Sequence, residues 1–387
     1  MPNDKIIQKI ITQLPASQLK FNEPLAPYTT LKIGGPADLF FVTNTEEELI
    51  KAVKLAQELQ IDWIILGWGS NVLISDKGFR GLVIRNQSKD IETLDSATEP
   101  NLILNPSPKR RRTNPSPLRR GEGVRSTQDR ASEPDRHEHA VIQGKDYSIK
   151  FDDLDYDETH LPSQLVKVSS GFSLGHLISW TLDHGLTGLQ WFNRIPGTVG
   201  GAVYNNIHGG SHYFEEYLHS VTVLTPKGQI KVLAPDQLGL GYDKTRFHQT
   251  KDTILNTTLK LYQGDVDKAK QVALEWAKRK AVQPSNSAGC TFKNISQEDR
   301  NKLGYPTTSV GYIVEWVLKW SDKTIGDAAI SKRHHAFIEN NRHATAKDIL
   351  QLIKDIISET KKKTGLTLEP EIFFIGFTDE ELKGVTK

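Results

Sequence analysis

Apolar residues in the first 85 positions recur with two patterns, one helical and one typical of buried strands. Helical spacing predicts two helices, whose inward positions are Ile6, Ile7, Ile10, Ile11 and Leu14 in the first and Leu49, Ala52, Val53, Ala56 and Leu59 in the second. Thr45 and Glu48 have the spacing of a capping box before the second helix. Short apolar runs predict strands at 39–42, 63–66 and 82–84.

The same patterns return after residue 164. Strands are predicted at 165–169 and 253–261, and a hairpin joins 221–225 to 230–233 around a Pro-Lys-Gly turn. Helices are predicted after Ser173, from Asp265 to Arg279, and from Ala346 to about Thr364. The run from Leu368 to Gly376 reads as a strand that carries two carboxylates.

Between about residues 87 and 162 the periodicity fades. NPSPKRRRT is followed at once by NPSPLRRGE, and residues 101–136 hold nine Lys and Arg against four Asp and Glu. This composition buries too little apolar surface to offset chain entropy, so we expect a disordered insertion between two strands. The alternative is a basic arm that contacts nucleic acid or a membrane surface. Interleaved aromatic residues, which would stack on bases, are missing from it.

Two glycine-rich stretches are candidates for ligand binding. GWGSN follows the strand at 63–66, and small ligands often dock at the carboxyl end of such a strand. RIPGTVGGAVYNN, residues 194–206, combines Pro196 with Gly197, Gly200 and Gly201. Amides without side chains in the way can approach an anion such as a pyrophosphate. An ordinary tight turn before a strand explains the second stretch equally well.

Composition narrows the class of protein. The 387 residues allow two or three domains, 25% of them are charged, and the net charge of +2 favours no particular partner. We find no secretory pattern and no uncharged run near the roughly 20 residues that a membrane span needs. Cys290 is the only cysteine and cannot form an internal disulfide. We therefore expect a cytoplasmic protein that binds neither nucleic acid nor membranes.

Six stretches in this order resemble the UDP-N-acetylenolpyruvoylglucosamine reductase (MurB) family. They are YTTLKIGGPAD, GWGSNVLISD, GLTGLQWFNRIPGTVGGAVYNN, RKAVQPSNSAGCTFKN, SKRHHAFIENNRHATAKDIL and LEPEIFFIG. The resemblance implies an α+β fold with a PCMH-type (vanillyl-alcohol-oxidase-like) FAD-binding domain, at 18–265, and a smaller α+β substrate domain, at 266–377. It also implies FAD, NADPH as reductant, and reduction of the enolpyruvyl ether to UDP-N-acetylmuramate for peptidoglycan synthesis.

The resemblance also assigns residues to the cofactor. The two glycine stretches hold the FAD diphosphate and its surroundings in the family, which transfers to Gly67, Gly69, Ser70, Asn71, Ile195, Pro196, Gly197, Gly200 and Gly201. The anion-binding interpretation of residues 194–206 thereby becomes an expected pyrophosphate loop.

For catalysis the resemblance points to Cys290 and Glu371. A serine commonly donates the proton to the substrate carbon in the family, and Cys290 occupies its position. A thiol near its reference pKa of about 8.5 still carries its proton at neutral pH. Glu371 matches the family glutamate near the double bond, where it assists protonation or orients a water. Glu369, the other carboxylate of the run, is expected to be structural.

One family residue is replaced. The family usually has Tyr-Arg-x-Ser, and its arginine stabilises the developing enolate; here Asp243 follows Tyr242. An aspartate cannot stabilise negative charge, so we expect Lys244 or Arg246, and preferably Arg246, to take over. The family tyrosine after Asn206 is also displaced, and Tyr213 would have to stand in.

Four further residues are assigned to the substrate by resemblance. Lys280 and Asn294 match positions near the nucleotide diphosphate, whereas His334 and Asn340 either contact ligand or shape the pocket. The alternatives to this reductase are a PCMH-type flavin enzyme of another substrate and a flavin-binding protein without catalysis. Oligomeric state does not follow from the sequence, and a monomer is the expectation.

Overall fold

The computed structural model describes residues 4–94 and 156–386. The α-helices described are α1 Asp4–Gln13, α2 Glu46–Glu58, α3 Leu174–Asp183, α4 Val199–Asn205, α5 Val266–Ala281, α6 Gln297–Leu303, α7 Val310–Tyr312, α8 Ala346–Thr364 and α9 Asp379–Leu382. The strands are β1 Leu19–Pro24, β2 Pro36–Thr43, β3 Trp63–Leu66, β4 Val72–Ile74, β5 Phe79–Asn86, β6 Ile91–Leu94, β7 Ser163–Ser169, β8 His208–Gly209, β9 His212–Tyr213, β10 Leu218–Leu224, β11 Ile230–Leu233, β12 Thr253–Tyr262, β13 Ser287–Cys290, β14 Thr324–Ile325, β15 Ala328–Ile330, β16 Phe337–Asn340 and β17 Phe373–Ile375.

The first sheet has the strand order β1-β2-β5-β3. β5 runs parallel to both β2 and β3, so the carboxyl ends of these three strands meet at one edge. α2 begins at Thr45, whose side chain accepts from the N–H of Glu48 as predicted. The Glu48 carboxylate reaches back to the N–H of Asn44 instead of Thr45, so the predicted capping box is displaced by one residue.

The second sheet is antiparallel, with the order β11-β10-β12-β7-β6. Helices α3, α4 and α5 contribute to the hydrophobic core beside it, which includes Leu177, Val203 and Val272. β6 pairs with β7, so the chain is ordered to Leu94, and it packs again at Tyr156. The prediction of a disordered insertion over about 87–162 is therefore wrong at both ends. Residues 95–155, with the basic stretch 101–136, lie outside the described residues.

The third sheet has the order β13-β16-β15-β14, and α8 packs against it in a separate core. The family resemblance places a domain boundary at 265/266. However, Ala269, Val272 and Ala273 on the buried face of α5 belong to the core beside the second sheet. This packing favours a boundary after Ala281.

The structure corrects two predictions made from the sequence. Residues 199–205 form the helix α4, capped by the Thr198 side chain, where we expected a loop or a turn before a strand. In the run 368–376 only Phe373–Ile375 forms a strand, which pairs in parallel with β4. Over the described residues, the structure contains no helix long and apolar enough to cross a membrane.

Candidate active site

The C-terminal strand carries Glu371 to the first glycine turn. Because β17 lies parallel to β4, the N–H of Phe373 donates to the carbonyl of Asn71 at 3.0 Å. The Asn71 side-chain amide lies 3.4 Å from the carbonyl oxygen of Glu371. Residues 300 positions apart in sequence are thus neighbours, as the resemblance requires.

The segment that follows Cys290 pairs with the segment that carries Glu371. The N–H of Glu371 donates to the carbonyl of Thr291 at 2.9 Å, and Phe292 bridges to Pro370. The pairing of β13 with β16 is irregular between Ser287 and Cys290, and Gly289 in between adopts a φ of +82°. A bulge of this kind re-aims the side chain that follows it, here the thiol of Cys290.

Burial and neighbouring charges raise the pKa values of both candidate catalytic groups. Burial, followed by the charge of Asp243, raises the pKa of Glu371 well above its usual value. Burial, followed by the charge of Glu371, raises the pKa of Cys290 to about 12. Burial lowers the pKa of Lys280, while Cys290 and Glu371 oppose that shift. Lys280 therefore lies within electrostatic reach of both groups, and Cys290 holds its proton at neutral pH.

A cavity of about 680 Å³ adjoins Glu371 and Asp243. Its lining includes Asn71, Asp243, His248, Lys293, Glu371 and Phe373. This volume lies inside the range of about 300–1,000 Å³ typical of small-molecule sites. The ε-amino group of Lys293 forms an ion pair with Glu369 at 3.0 Å, and its charge lowers the pKa of Glu371 and of Asp243.

The position of the family arginine lies in a tight turn. Gly241 and Lys244 exchange two backbone hydrogen bonds, and Asp243 between them has a φ of +43°. Aspartate is among the few residues with side chains that tolerate this left-handed conformation. The side chain of Asp243 points inward and is buried, whereas Lys244 is exposed.

Arg246 is engaged elsewhere. Its guanidinium forms an ion pair with Asp252 at 3.1 Å and donates to the carbonyl of Gln237 at 3.2 Å. These contacts hold the loop together and do not direct the charge at Glu371. Lys280 and Lys293 are the cations whose charges act on Glu371. Sequence reasoning assigned Lys280 to the substrate only and gave Lys293 no role.

The remaining predicted substrate residues separate into two groups. The N–H of Asn294 faces the hydroxyl of Tyr242, a neighbour of Glu371 and Cys290. Asn340 is buried, and backbone groups occupy its amide: it donates to Leu31 and accepts from Arg342 and Ala344. His334 accepts from the N–H of Ala336 in the turn before β16. Asn340 and His334 thus make these hydrogen bonds within the protein, and a role for either in the site stays a prediction.

The two glycine stretches contact each other. The hydroxyl of Ser70 donates to the carbonyl of Pro196 at 2.6 Å, and a Cβ on Gly67 would lie 2.8 Å from the Thr198 hydroxyl. Gly69 has a φ of +62°, and a Cβ there would lie 2.3 Å from the carbonyl oxygen of Tyr28. The stretches predicted to share one ligand are therefore side by side.

Several amides expected to face an anion are used within the protein. Gly200 donates to the carbonyl of Ser170 at 2.7 Å, and Gly201 donates to the Thr198 hydroxyl. A Cβ on Gly200 would lie 2.9 Å from Ser170, so this glycine permits close packing. Ile195 donates to Phe192. Gly197 is less tightly packed than Gly200, because an added Cβ would lie 3.9 Å from its nearest neighbour, the Ser70 hydroxyl.

Arg85 is a cation beside these stretches that the sequence analysis did not select. Arg85, on β5, pairs with Leu66, the residue before Gly67. Its Nε and Nη1 are buried without a hydrogen-bond partner among the described residues, and burial lowers its pKa. The guanidinium lies 5.8 Å from the ring centroid of Tyr28. A buried unpaired cation is costly, which makes it a candidate ligand-binding group.

Known proteins resemble both halves of the chain. Residues 282–375 match the family model of the UDP-N-acetylenolpyruvoylglucosamine reductase C-terminal domain, and residues 139–234 match an FAD binding domain model. The UDP-N-acetylenolpyruvoylglucosamine reductase of Lachnoclostridium phytofermentans is 28% identical over 97% of this chain and 98% of its own length. That of Caldanaerobacter subterraneus subsp. tengcongensis is 26% identical over 96% of this chain and 98% of its own.

A solved structure agrees. The structure of UDP-N-acetylenolpyruvylglucosamine reductase (MurB) from Thermus caldophilus has a TM-score of 0.61 at 25% identity and covers 92% of this chain and 98% of its own. Over nearly its whole length, the chain is therefore similar to UDP-N-acetylenolpyruvoylglucosamine reductases. This similarity confirms the predicted α+β fold, in which an FAD-binding domain precedes a C-terminal domain of the reductase type. It also confirms FAD as the cofactor.

Proposed function

We propose that the protein uses NADPH, through FAD, to reduce UDP-N-acetyl-3-O-(1-carboxyvinyl)-glucosamine to UDP-N-acetylmuramate, a precursor of peptidoglycan. The observation that carries the proposal is the convergence of Cys290, Glu371 and Asn71, joined through the Thr291 and Phe373 backbone, in a chain whose relatives bear this reductase's name. A reducing cytoplasm suits the lone thiol, and one chain supplies every group of this site, so a monomer suffices.

The residues around the glycine stretches fit FAD. A Cβ on Gly197 would lie no closer than 3.9 Å to its nearest neighbour, the Ser70 hydroxyl, so the chain is less crowded there than at Gly67 or Gly69. At the carboxyl end of β5, Arg85 has two N–H groups without a partner among the described residues. A diphosphate accepts such donors in charge-assisted hydrogen bonds. Gly67, Gly69, Ser70, Pro196 and Gly197 would hold the cofactor together with Arg85. When bound, FAD supplies hydride transfer between NADPH and the substrate.

The protein's own groups then handle the proton and the charge. The Cys290 thiol holds the proton that the substrate carbon must receive, and Glu371, whose pKa is raised by burial, is placed to donate a hydrogen bond or restore that proton. Lys280 and Lys293 supply the positive charge that the developing carboxylate requires. We propose these lysines, rather than Arg246, in place of the family arginine.

Arg85→Met is expected to weaken FAD binding by about 10- to 100-fold, because a charge-assisted hydrogen bond contributes about 1.5–3 kcal/mol. Titrating FAD into apoprotein and following the quenching of flavin fluorescence gives the Kd. Arg80→Met is the matched control, since Arg80 lies on the same strand but forms an ion pair with Asp38. Equal Kd values for the Arg85 variant and wild type would remove Arg85 from the cofactor site.

Anaerobic stopped-flow absorbance tests the reaction itself. The yellow protein is expected to bleach on mixing with NADPH and to regain its colour on mixing with the enolpyruvyl UDP-sugar. Bleaching without recovery would favour a PCMH-type flavin enzyme of another substrate. Absence of both phases, with FAD bound, would indicate a flavin-binding protein without this catalysis.

A further inference from the structure

The mechanism above leaves one buried acid without a task. The side chain of Asp243 is buried, with 7% of the residue exposed, and its Oδ2 has no hydrogen-bond partner among the described residues. A buried carboxylate oxygen without a donor is costly, and a turn could accommodate asparagine or glycine instead. A carboxylate at this buried position therefore indicates a chemical role for Asp243.

The fold holds Asp243 at a set distance from the β8–β9 hairpin. Asn206, buried at the end of α4, donates from its side chain to the carbonyl of Gly241 at 3.1 Å. The same amide donates to the carboxylate of Glu215 and accepts from its N–H. One side chain therefore ties the turn that presents Asp243 to the segment that presents His208.

His208 lies on the solvent side of this acid. Its Nδ1 is 4.0 Å from Oδ1 of Asp243, and its side chain is 21% exposed against 9% for that of Asp243. A gap of 4.0 Å is bridged by one water or closed by a small rotation. The imidazole ring lies between the rings of Tyr213 and Tyr242, with centroids at 5.8 and 5.3 Å.

On its inner side Asp243 faces the catalytic groups. The charge of Asp243 raises the pKa of Glu371 and of Cys290, so the three groups lie within electrostatic reach. The other titratable neighbours of the Asp243 carboxyl are Tyr242, in the same turn, and Lys293 and His208 from other parts of the chain. Asp243 is thus the buried acid between a partly exposed imidazole and the proton-bearing groups.

We propose that His208 and Asp243 form a proton relay that returns a proton from solvent to Glu371 and Cys290 after each turnover. The proposal rests on the proposed function, in which Cys290 gives its proton to a substrate carbon. That step leaves a thiolate, which must regain a proton before the next turnover. His208 and Asp243 are positioning residues for the proton supply and need not contact the substrate.

The transfers balance without another reactant. Glu371 protonates the Cys290 thiolate and is left as a carboxylate. The Asp243 carboxylate accepts a proton at Oδ1 from Nδ1 of the protonated His208 ring, and after rotation of the carboxyl group it passes this proton to the Glu371 carboxylate. The neutral His208 ring then takes up a proton from solvent, which restores the start. Burial raises the pKa of Asp243 to about 6, so this carboxyl can both take up and release a proton near neutral pH.

His208→Gln should slow later turnovers but not the first one. Because Cys290 starts protonated, re-oxidation in a single turnover is expected at the wild-type rate, whereas steady-state turnover falls about tenfold or more. Added imidazole should restore the steady state in proportion to its concentration. Asp243→Asn should show the same split without rescue. His212→Gln, in the same hairpin but hydrogen-bonded to Glu216, is the control.

Equal slowing of the first and later turnovers without rescue, or unchanged turnover, would overturn the relay. A second measurement does not depend on turnover: NMR titration of the His208 ring, identified by its loss in His208→Gln. Asp243→Asn should lower the pKa of His208, because it removes a negative neighbour, and an unchanged titration would refute the pair. Failure of wild type to re-oxidise would instead refute the proposed function, while the titration still tests the pair.

Discussion

Replacing Cys290 with alanine is expected to leave bleaching by NADPH unchanged and to slow re-oxidation by the enolpyruvyl UDP-sugar about 10³-fold. The thiol is the group placed to protonate the substrate carbon, and a positioned acid contributes about 10²–10⁴-fold. Rapid mixing of the pre-bleached variant with substrate measures this step alone. FAD content, from the protein's visible spectrum, shows whether the variant has kept its fold.

Cys290→Ser is the conservative companion of this variant, because a hydroxyl also carries a proton to the same place. It should retain more of the re-oxidation rate than Cys290→Ala. The high pKa of the wild-type thiol, about 12, implies that Cys290 keeps its proton well above pH 8. Wild-type re-oxidation should therefore not decline between pH 7 and 9 through ionisation of Cys290. Wild-type rates in the alanine variant would mean that another group is the acid.

Periodicity predicted the regular elements well. The strand at 63–66, the helix behind Thr45 and the long helix from Ala346 to Thr364 all lie where the apolar pattern put them. Each buries one face over several turns or follows an apolar run, so local sequence and packing agree. The short strand β4 and its partner β17 were harder, because their pairing joins chain segments about 300 residues apart.

The glycines of residues 194–206 illustrate a different difficulty. Gly200 and Gly201 lie inside α4, where glycine is a poor helix former, and local propensity therefore argues against a helix. The close approach to Ser170 explains Gly200, and only tertiary structure shows that contact. An amide that seems available in the sequence is thus engaged in the fold.

The order of motifs predicts which residues form the site, but not the charges around them. It selects Cys290 and Glu371, and the structure joins Glu371 by a backbone hydrogen bond to Thr291, the residue after Cys290. The cations that act on Glu371 are Lys280, at the end of α5, and Lys293. Their positions relative to Glu371 depend on the tertiary structure, and no local sequence pattern encodes them. Arg85 likewise reads as an ordinary strand residue until β3 and Tyr28 enclose it.

Glu371→Gln tests the second catalytic assignment. Glutamine preserves the size of the side chain but cannot restore a proton to Cys290, so we expect re-oxidation to slow about 10²–10⁴-fold while bleaching by NADPH persists. The same substitution should lower the pKa of Cys290, since the charge of Glu371 helps to raise it. Faster alkylation of the thiol by iodoacetamide at pH 9 would report that shift without any turnover.

Glu369→Gln is the matched control, two residues away in the same Glu-Pro-Glu run. Glu369 is exposed and forms an ion pair with Lys293, and exposed ion pairs contribute about 0–1 kcal/mol. We therefore expect less than about a fivefold change in re-oxidation for Glu369→Gln. Comparable losses in both variants would mean that the charge of the run, rather than the carboxyl of Glu371 in particular, supports the reaction. A selective loss in Glu371→Gln, with faster alkylation of Cys290, ties the proton of Glu371 to the thiol it is placed to serve.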